Sequence, residues 1–149
     1  DPLWSRGLGD VYKRQANMCK KILIVEDNEM NMKLFCDVVE LCGFEAISLR
    51  SGVTAIELAL KKSPCLVLMD IQLPEISGIE LIAKFKAHES LKTIPIIAIT
   101  AFAMKGDEEK IVQTGCEAYI SKPICIKNLQ DTIKNLVNKK GLEKTKPLI

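Results

Sequence analysis

Short apolar runs alternate with amphipathic segments along most of the chain. Fully apolar or period-two runs favour strands, whereas apolar residues that recur every three or four positions favour helices. The pattern predicts strands at 22–25, 45–49, 65–69, 94–99 and 118–121 and helices at 28–41, 53–62, 78–87, 105–114 and 126–137. Strands that alternate with helices through short loops predict an α/β fold, in which right-handed crossovers build a parallel sheet covered by helices on both faces.

Local signals support the first helix and the central strands. Asn28 can accept a backbone N–H at the start of the helix, and Gly43 can take the left-handed conformation that ends it. The runs at 22–25, 65–69 and 96–99 are apolar throughout, as expected for strands buried on both faces. In such a sheet ligands bind beyond the carboxyl ends of the strands. Functional residues are therefore expected at that edge.

One domain is expected between residues 18 and 138. The opening DPLWSRGLGDVYKRQAN shows no apolar periodicity, and Met18 stands directly before the first strand. Residues 1–17 are therefore interpreted as a non-native or disordered leader, and the lysine-rich residues 139–149 as a flexible basic tail. A hydrophobic content of 48% suits one soluble domain with a sizeable core.

Charge and hydropathy argue against two kinds of partner. The net charge is +2, of which the leader contributes +1 and the residues beyond Val137 contribute +3, so residues 18–137 carry −2. The domain itself therefore gives no case for direct binding of nucleic acid. Its apolar run at 65–69 is far shorter than the ~20 residues that cross a bilayer. We expect no membrane insertion and a cytoplasmic location.

The cysteines do not form a metal or disulfide pattern. None are spaced C-x-x-C, and His88 is the only histidine, which argues against structural zinc. All six are expected to be reduced and buried: Cys19, Cys36, Cys42, Cys65, Cys116 and Cys125.

Polar residues follow several of the predicted strands. Glu26 and Asp27 follow the first strand, Asp70 the third, Thr100 the fourth and Lys122 the fifth. Carboxylates ~4–5 Å apart repel each other by about 3–4 kcal/mol at an effective dielectric constant of ~20, so they must share a proton or bind a cation. Oxygen ligands favour Mg²⁺ or Ca²⁺, and so few carboxylates favour Mg²⁺ with retained waters. A hard cation beside an Asp, a Lys and a Thr suits a phosphoryl group.

Four separated motifs resemble the receiver domain of two-component response regulators. They are the ED pair after the first strand, LMDIQLPEISG, TAFA and SKP, and the resemblance covers residues 20–138. VEDNEMNMKLF and GCEAYISKP are similar to single-domain regulators of cell division and polarity. The resemblance implies a flavodoxin-like (βα)5 doubly wound sandwich with a five-stranded parallel sheet in the order 2-1-3-4-5.

The resemblance implies a role for each residue at the acidic edge. Asp70 is the implied phosphoacceptor, whose carboxylate attacks the phosphorus of a phosphohistidine. Asp27, Asp70 and the backbone carbonyl of Gln72 would hold Mg²⁺, with Mn²⁺ as a substitute. Glu26 would act directly or through water, because this chain has Glu where many receivers have Asp.

The resemblance also implies a switch. Lys122 would pair with a phosphoryl oxygen, and the peptide before Pro123 would be cis. Thr100 and the following Ala101 would move toward the phosphoryl group, which lets Tyr119 pass from an exposed to a buried position.

The implied output surface lies on the fourth helix, the fifth strand and the fifth helix. It includes Phe102, Lys105, Ile111 and Tyr119, and Phe102 would also shield the phosphoryl group from water. The implied partners are a histidine kinase or histidine phosphotransferase and a downstream regulatory protein. The chain would be a monomer or a phosphorylation-dependent dimer, and no enzyme beyond slow autodephosphorylation.

Three alternatives remain open at this level. A haloacid-dehalogenase-like phosphatase also uses Asp, Mg²⁺, Thr and Lys, but its acid stands two residues after the nucleophile, where this chain has Gln72. A flavodoxin-like or nucleotide-binding module needs a phosphate loop after the first strand, where this chain has acidic residues. The third alternative is a receiver excised from a hybrid kinase.

Overall fold

Five strands and five α-helices alternate along the computed structural model, which describes residues 20–101 and 105–145 and only the backbone at 105–107 and 139–145. A 3₁₀ turn at Gly52–Thr54 precedes the second helix. The elements are β1 (Lys21–Val25), α1 (Glu29–Leu41), β2 (Glu45–Leu49), α2 (Ala55–Lys62), β3 (Leu66–Asp70), α3 (Gly78–Ala87), β4 (Ile96–Thr100), α4 (Lys105–Gln113), β5 (Ala118–Ser121) and α5 (Ile126–Thr145).

The strands form one parallel sheet in the order β2-β1-β3-β4-β5. This confirms the expected flavodoxin-like (βα)5 arrangement. The chain places β2 on one side of β1 and β3 on the other, so the strand order reverses between β1 and β3. Ligand sites of such sheets lie at that reversal, beyond the carboxyl ends of the strands.

Two apolar layers cover the sheet, because successive side chains of a strand point to opposite faces. Alternate residues of β1, β3 and β4 pack with Phe85 of α3 on one face. The intervening residues pack with Phe35 of α1 and Leu129 of α5 on the other. Every residue of β3 and β4 is buried, as their continuous apolar runs predicted.

The ends of the helices follow the predicted signals, with one large difference. The Asn28 side chain accepts the N–H of Asn31 at 3.0 Å, and Gly43 after α1 has φ of +90°. The last helix continues to Thr145, so its predicted end near Val137 is wrong. The helix thus runs through residues 139–145, which lie in the expected basic tail. Lys, Leu and Glu favour helix even without an apolar face.

The cysteines are only partly as expected. Those that the structure describes are free thiols, but only Cys65 is buried, and Cys125 is exposed. Cys125 lies in the loop between β5 and α5. The prediction that every cysteine is buried was therefore wrong. Within the described residues, no helix is both long enough and apolar enough to cross a membrane.

Candidate functional site

Three carboxylates meet where β1 and β3 end side by side. Glu26 and Asp27 follow β1, and Asp70 is the last residue of β3 rather than the first residue after it. One carboxylate oxygen from each residue lies within 4.8 Å of the other two. Glu26 and Asp70 are 0% and 2% exposed, whereas Asp27 is exposed. The cluster therefore has two buried members and one that opens to solvent.

The Glu26 carboxylate is held on one side only. Its Oε1 accepts a hydrogen bond from Nδ2 of Asn31 at 2.9 Å and lies 3.7 Å from Nζ of Lys122. Its buried Oε2 has no hydrogen-bond partner among the described residues. A buried acceptor without a partner costs about 1–3 kcal/mol. This oxygen is thus ready to accept a proton or a cation.

Burial raises the pKa of Glu26 from 4.5 to about 8. Asp70 adds to the rise, because it can accept a hydrogen bond from the protonated form and repels the charged form. Asn31 and Lys122 act in the opposite direction but do not offset the burial. Without a cation, the site therefore holds a proton near neutral pH.

Asp70 is oriented by the turn that follows it and by a lysine from the far side of the site. Its Oδ1 accepts the backbone N–H of Gln72 at 2.9 Å, and its Oδ2 lies 3.5 Å from Nζ of Lys122. Lys122 follows β5 directly, and the Lys122–Pro123 peptide bond is cis. The Lys122 N–H donates to the carbonyl of Thr100 at 2.7 Å. The pairing of β5 with β4 therefore brings the ammonium group to the carboxylates.

The donor set fits a hard divalent cation. All candidate side-chain ligands are carboxylate oxygens, which Mg²⁺ prefers over the softer ligands of transition metals. The unpartnered Oε2 of Glu26 and the mutual repulsion of the carboxylates would both be relieved by positive charge. Glu26, Asp27 and Asp70 could therefore hold Mg²⁺, with waters at its remaining positions.

The residues of the expected switch lie on neighbouring strands. Thr100 ends β4 and is 1% exposed, and the exposed Ala101 follows it. Tyr119 on β5 is 39% exposed, and its hydroxyl donates to Oε1 of Glu108 on α4. The tyrosine therefore occupies the outward position here.

The expected partner surface needs one correction. Ile111 is 1% exposed and belongs to the core, so it does not present a side chain to a partner. The helical phase of α4 instead exposes the next residue, Val112, at 58%. Phe102 lies outside the described residues, and only the backbone of Lys105 is described.

Two residues near the site had not been singled out from the sequence. Asn31 contacts Glu26, and Glu108 contacts Tyr119. A polar residue in the first turn of a helix that follows an acidic pair could have drawn attention to Asn31. The contact of Glu108 depends on how α4 lies against β5, which the pattern does not contain.

Comparisons of the sequence with known proteins point to one family. Residues 22–134 match the response regulator receiver domain family. The chain is 58% identical over 118 residues to the polar-differentiation response regulator DivK of Brucella ovis, which covers 79% of this chain and 96% of the relative. The DivK of Brucella anthropi is 57% identical over the same shares.

Solved structures share the same architecture. The receiver domain of a signal transduction histidine kinase from Syntrophus aciditrophicus is 27% identical, with a TM-score of 0.77 over 88% of this chain and 98% of that one. The receiver domain of a sensor histidine kinase from Pseudomonas aeruginosa is 30% identical, with a TM-score of 0.74 over 80% and 98%. That second structure has a magnesium ion coordinated in its active-site cleft.

Proposed function

This chain belongs to the response regulator receiver domain family, and from that premise we propose that its Asp70 accepts a phosphoryl group in a Mg²⁺-dependent reaction. One observation carries the proposal. The carboxylates of Glu26, Asp27 and Asp70 converge within 4.8 Å, with the Lys122 ammonium group 3.5 Å from Asp70. Such an arrangement can hold a cation and a phosphoryl group together.

The proposed donor is a phosphohistidine on a histidine kinase or histidine phosphotransferase. One carboxylate oxygen of Asp70 attacks the phosphorus, so that a P–O bond forms while the P–N bond breaks. The electron pair of the broken bond returns to the imidazole, which takes up a proton as it leaves. The Gln72 N–H, which donates to Oδ1 of Asp70, supports a carboxylate orientation that leaves Oδ2 toward Lys122.

Charge is neutralised by two groups in this proposal. Mg²⁺, or Mn²⁺ as a substitute, supplies positive charge to the phosphoryl oxygens when it is bound. Asp27, Asp70 and the Gln72 carbonyl are its proposed ligands, with Glu26 bound directly or through water. Lys122 pairs with another phosphoryl oxygen, and the Thr100 hydroxyl donates a hydrogen bond to it. The magnesium ion in the active-site cleft of the Pseudomonas receiver supports Mg²⁺ as the cation of this site.

Phosphorylation is proposed to change the output surface. Thr100 and Ala101 move toward the new phosphoryl group, which frees space for Tyr119 to turn inward. The altered surface of α4, β5 and α5 then changes the affinity for a downstream regulatory protein. The similarity to the polar-differentiation response regulator DivK supports a role in cell-cycle or polarity signalling. A cytoplasmic location and slow autodephosphorylation are further parts of the proposal.

The test is phosphorylation by a small phosphodonor. Purified protein is incubated with acetyl phosphate and Mg²⁺, and its intact mass is measured. Wild type is expected to gain one phosphoryl group, and Asp70→Asn none, because the amide is no nucleophile. Excess EDTA should abolish the gain in wild type.

A matched control keeps the result specific. Asp131→Asn changes an exposed carboxylate on α5 and should label as wild type does. Equal labelling of Asp70→Asn and wild type, or full labelling in EDTA, would refute the proposal. The phosphatase alternative is not favoured, because Gln72 carries no proton that could serve as general acid.

A further inference from the structure

The carboxylate of Glu26 is fixed by a residue of the first helical turn. Asn31 is the third residue of α1, and its Nδ2 donates to Oε1 of Glu26 at 2.9 Å. Side chains of a helix lean toward its N-terminus, so Asn31 can reach back to a residue that precedes the helix. Its own backbone N–H donates to the Asn28 side chain. In the first turn of α1, the backbone N–H of Asn31 therefore takes part in the helix cap, while its side chain contacts the carboxylate cluster.

This contact leaves the two oxygens of Glu26 in different states. Oε1 is tied to Asn31, whereas the buried Oε2 has no partner among the described residues. A glutamate has one more rotatable bond than an aspartate, so its carboxylate needs an external partner to keep one orientation. Lys122 lies 3.7 Å from Oε1, beyond hydrogen-bond distance. Among the described residues, Asn31 is the one that donates a hydrogen bond to this carboxylate, and Lys122 approaches the same oxygen as an ion-pair partner.

We infer that Asn31 is a positioning residue for the cation site: it fixes Oε1 of Glu26 and so keeps this carboxylate beside those of Asp27 and Asp70. The inference rests on the proposed function, because it assigns a role in the same Mg²⁺ site. Asn31 itself contacts neither the cation nor the phosphoryl group. Its effect is to remove the entropy cost of ordering Glu26 when the cation binds, as hydrogen-bond partners of metal ligands do.

The inference predicts weaker Mg²⁺ binding in Asn31→Ala. Calorimetric titration of the full chain should give a dissociation constant about 10-fold higher than that of wild type. The rate of phosphorylation by acetyl phosphate at saturating Mg²⁺ should stay close to that of wild type, since the metal ligands and Asp70 remain. Asn31→Ser, which is too short to reach Glu26, should behave in the same way. Asn135→Ala, on the exposed side of α5, should bind Mg²⁺ as wild type does.

A second background separates positioning from a general loss of structure. In Glu26→Asp the shorter side chain no longer reaches Asn31, so the additional Asn31→Ala change should alter the dissociation constant by no more than about 2-fold. An equal loss in both backgrounds would overturn the inference, as would wild-type affinity in both Asn31→Ala and Asn31→Ser. Failure of wild type itself to bind Mg²⁺ would instead refute the proposed function.

Discussion

At the scale of single residues, the burial of Glu26 links its protonation state to the stability of the fold. It follows β1 directly, is 0% exposed, and faces Asp70 across the cluster. Burial and Asp70 raise its pKa to about 8. Folding therefore favours the protonated form, whereas the unfolded chain releases this proton near its ordinary pKa of 4.5.

The raised pKa of Glu26 makes the fold less stable as the pH increases. The contribution of Glu26 is fully present below pH 4.5 and is lost as the pH rises through about 8. In Mg²⁺-free buffer, Glu26→Gln should become more stable relative to wild type as the pH is raised over that range, because the amide stays neutral. Thermal melts at several pH values should show a growing difference of several degrees, at about 4 °C per kcal/mol.

An exposed carboxylate gives the control for this measurement. Glu80→Gln on α3 should show no such pH-dependent difference. Added Mg²⁺ should narrow the gap between wild type and Glu26→Gln at high pH, since a cation replaces the proton. A gap that stays constant from pH 5 to 8 would contradict the assigned protonation.

At the scale of elements, α3 begins against the end of β3 and depends on a glycine there. A Cβ on Gly78 would lie 2.4 Å from the carbonyl oxygen of Asp70 and 2.5 Å from Cα of Ile71. Both neighbours are backbone atoms that cannot move aside alone. The Gly78 N–H also donates to the Ile71 carbonyl at 2.9 Å. This close approach places the start of α3 beside Asp70, the proposed phosphoacceptor.

Gly78→Ala should therefore destabilise the fold by about 3 kcal/mol, despite the better helix propensity of alanine. The matched variant is Gly43→Ala, whose Cβ would meet no atom within 4 Å but whose φ is +90°. Its cost should be only about 1 kcal/mol of backbone strain. Chemical denaturation of both variants measures the difference, and equal losses would contradict the steric argument.

The elements themselves could be predicted from the sequence, but not all their contacts. Continuous apolar runs identified β1, β3 and β4, because full burial on both faces permits only such residues. Period alone did not settle which face of the short, polar α4 turns inward, so Ile111 was assigned to the wrong side. The end of α5 was missed because residues 139–145 carry no apolar periodicity.

The grouping of the carboxylates in the candidate site could be predicted wherever it follows from the order of the parallel strands. Parallel strands bring their carboxyl ends together, so Glu26, Asp27 and Asp70 could be grouped from their positions in the sequence alone. The hydrogen bond from Asn31 and the burial of Glu26 could not be predicted in the same way. They depend on the angle and height at which α1 packs over β1, which local sequence does not specify.

At the scale of the whole molecule, charged side chains form a second cluster at the N-terminal ends of the strands, opposite the candidate site. Lys86 of α3 is ion-paired with Glu117, and its Nζ also lies 3.3 Å from the carbonyl oxygen of Ile94. Glu117 in turn accepts the N–H of Ile96 at 2.7 Å. These contacts join the loops that lead into β4 and β5. Charged groups at the N-terminal ends of the strands thus hold loops together, whereas those at the carboxyl ends form the candidate site.

The outward position of Tyr119 links α4 to β5 across the proposed output surface. Its hydroxyl donates to Glu108, a contact that must break if the ring turns inward. Glu108→Ala should therefore favour the inward position of Tyr119. The affinity for beryllofluoride with Mg²⁺, which stands in for the phosphoryl group, should rise by up to about 3-fold, because the free energy of one lost hydrogen bond is small.

The neighbouring residue supplies a control for that experiment. Glu109→Ala removes an exposed carboxylate from the same helix and should leave the beryllofluoride affinity unchanged. Titrations followed by the NMR signals of Tyr119 would report both the affinity and the ring position. Identical curves for wild type and Glu108→Ala would show that the contact does not restrain the ring.

The strand register sets the spacing of the groups at the proposed phosphoryl site. Asp70 pairs with Ile99, and the next residue, Thr100, pairs with Ser121 directly before Lys122. The lateral distance from acceptor to hydroxyl to ammonium is therefore set by the repeat of ~4.8 Å between adjacent strands. The fixed spacing of the strands therefore limits the size of the anion that these three groups can contact together. Side chains along the strand ends can be exchanged one at a time, while the backbone spacing proposed to suit a phosphoryl group is retained.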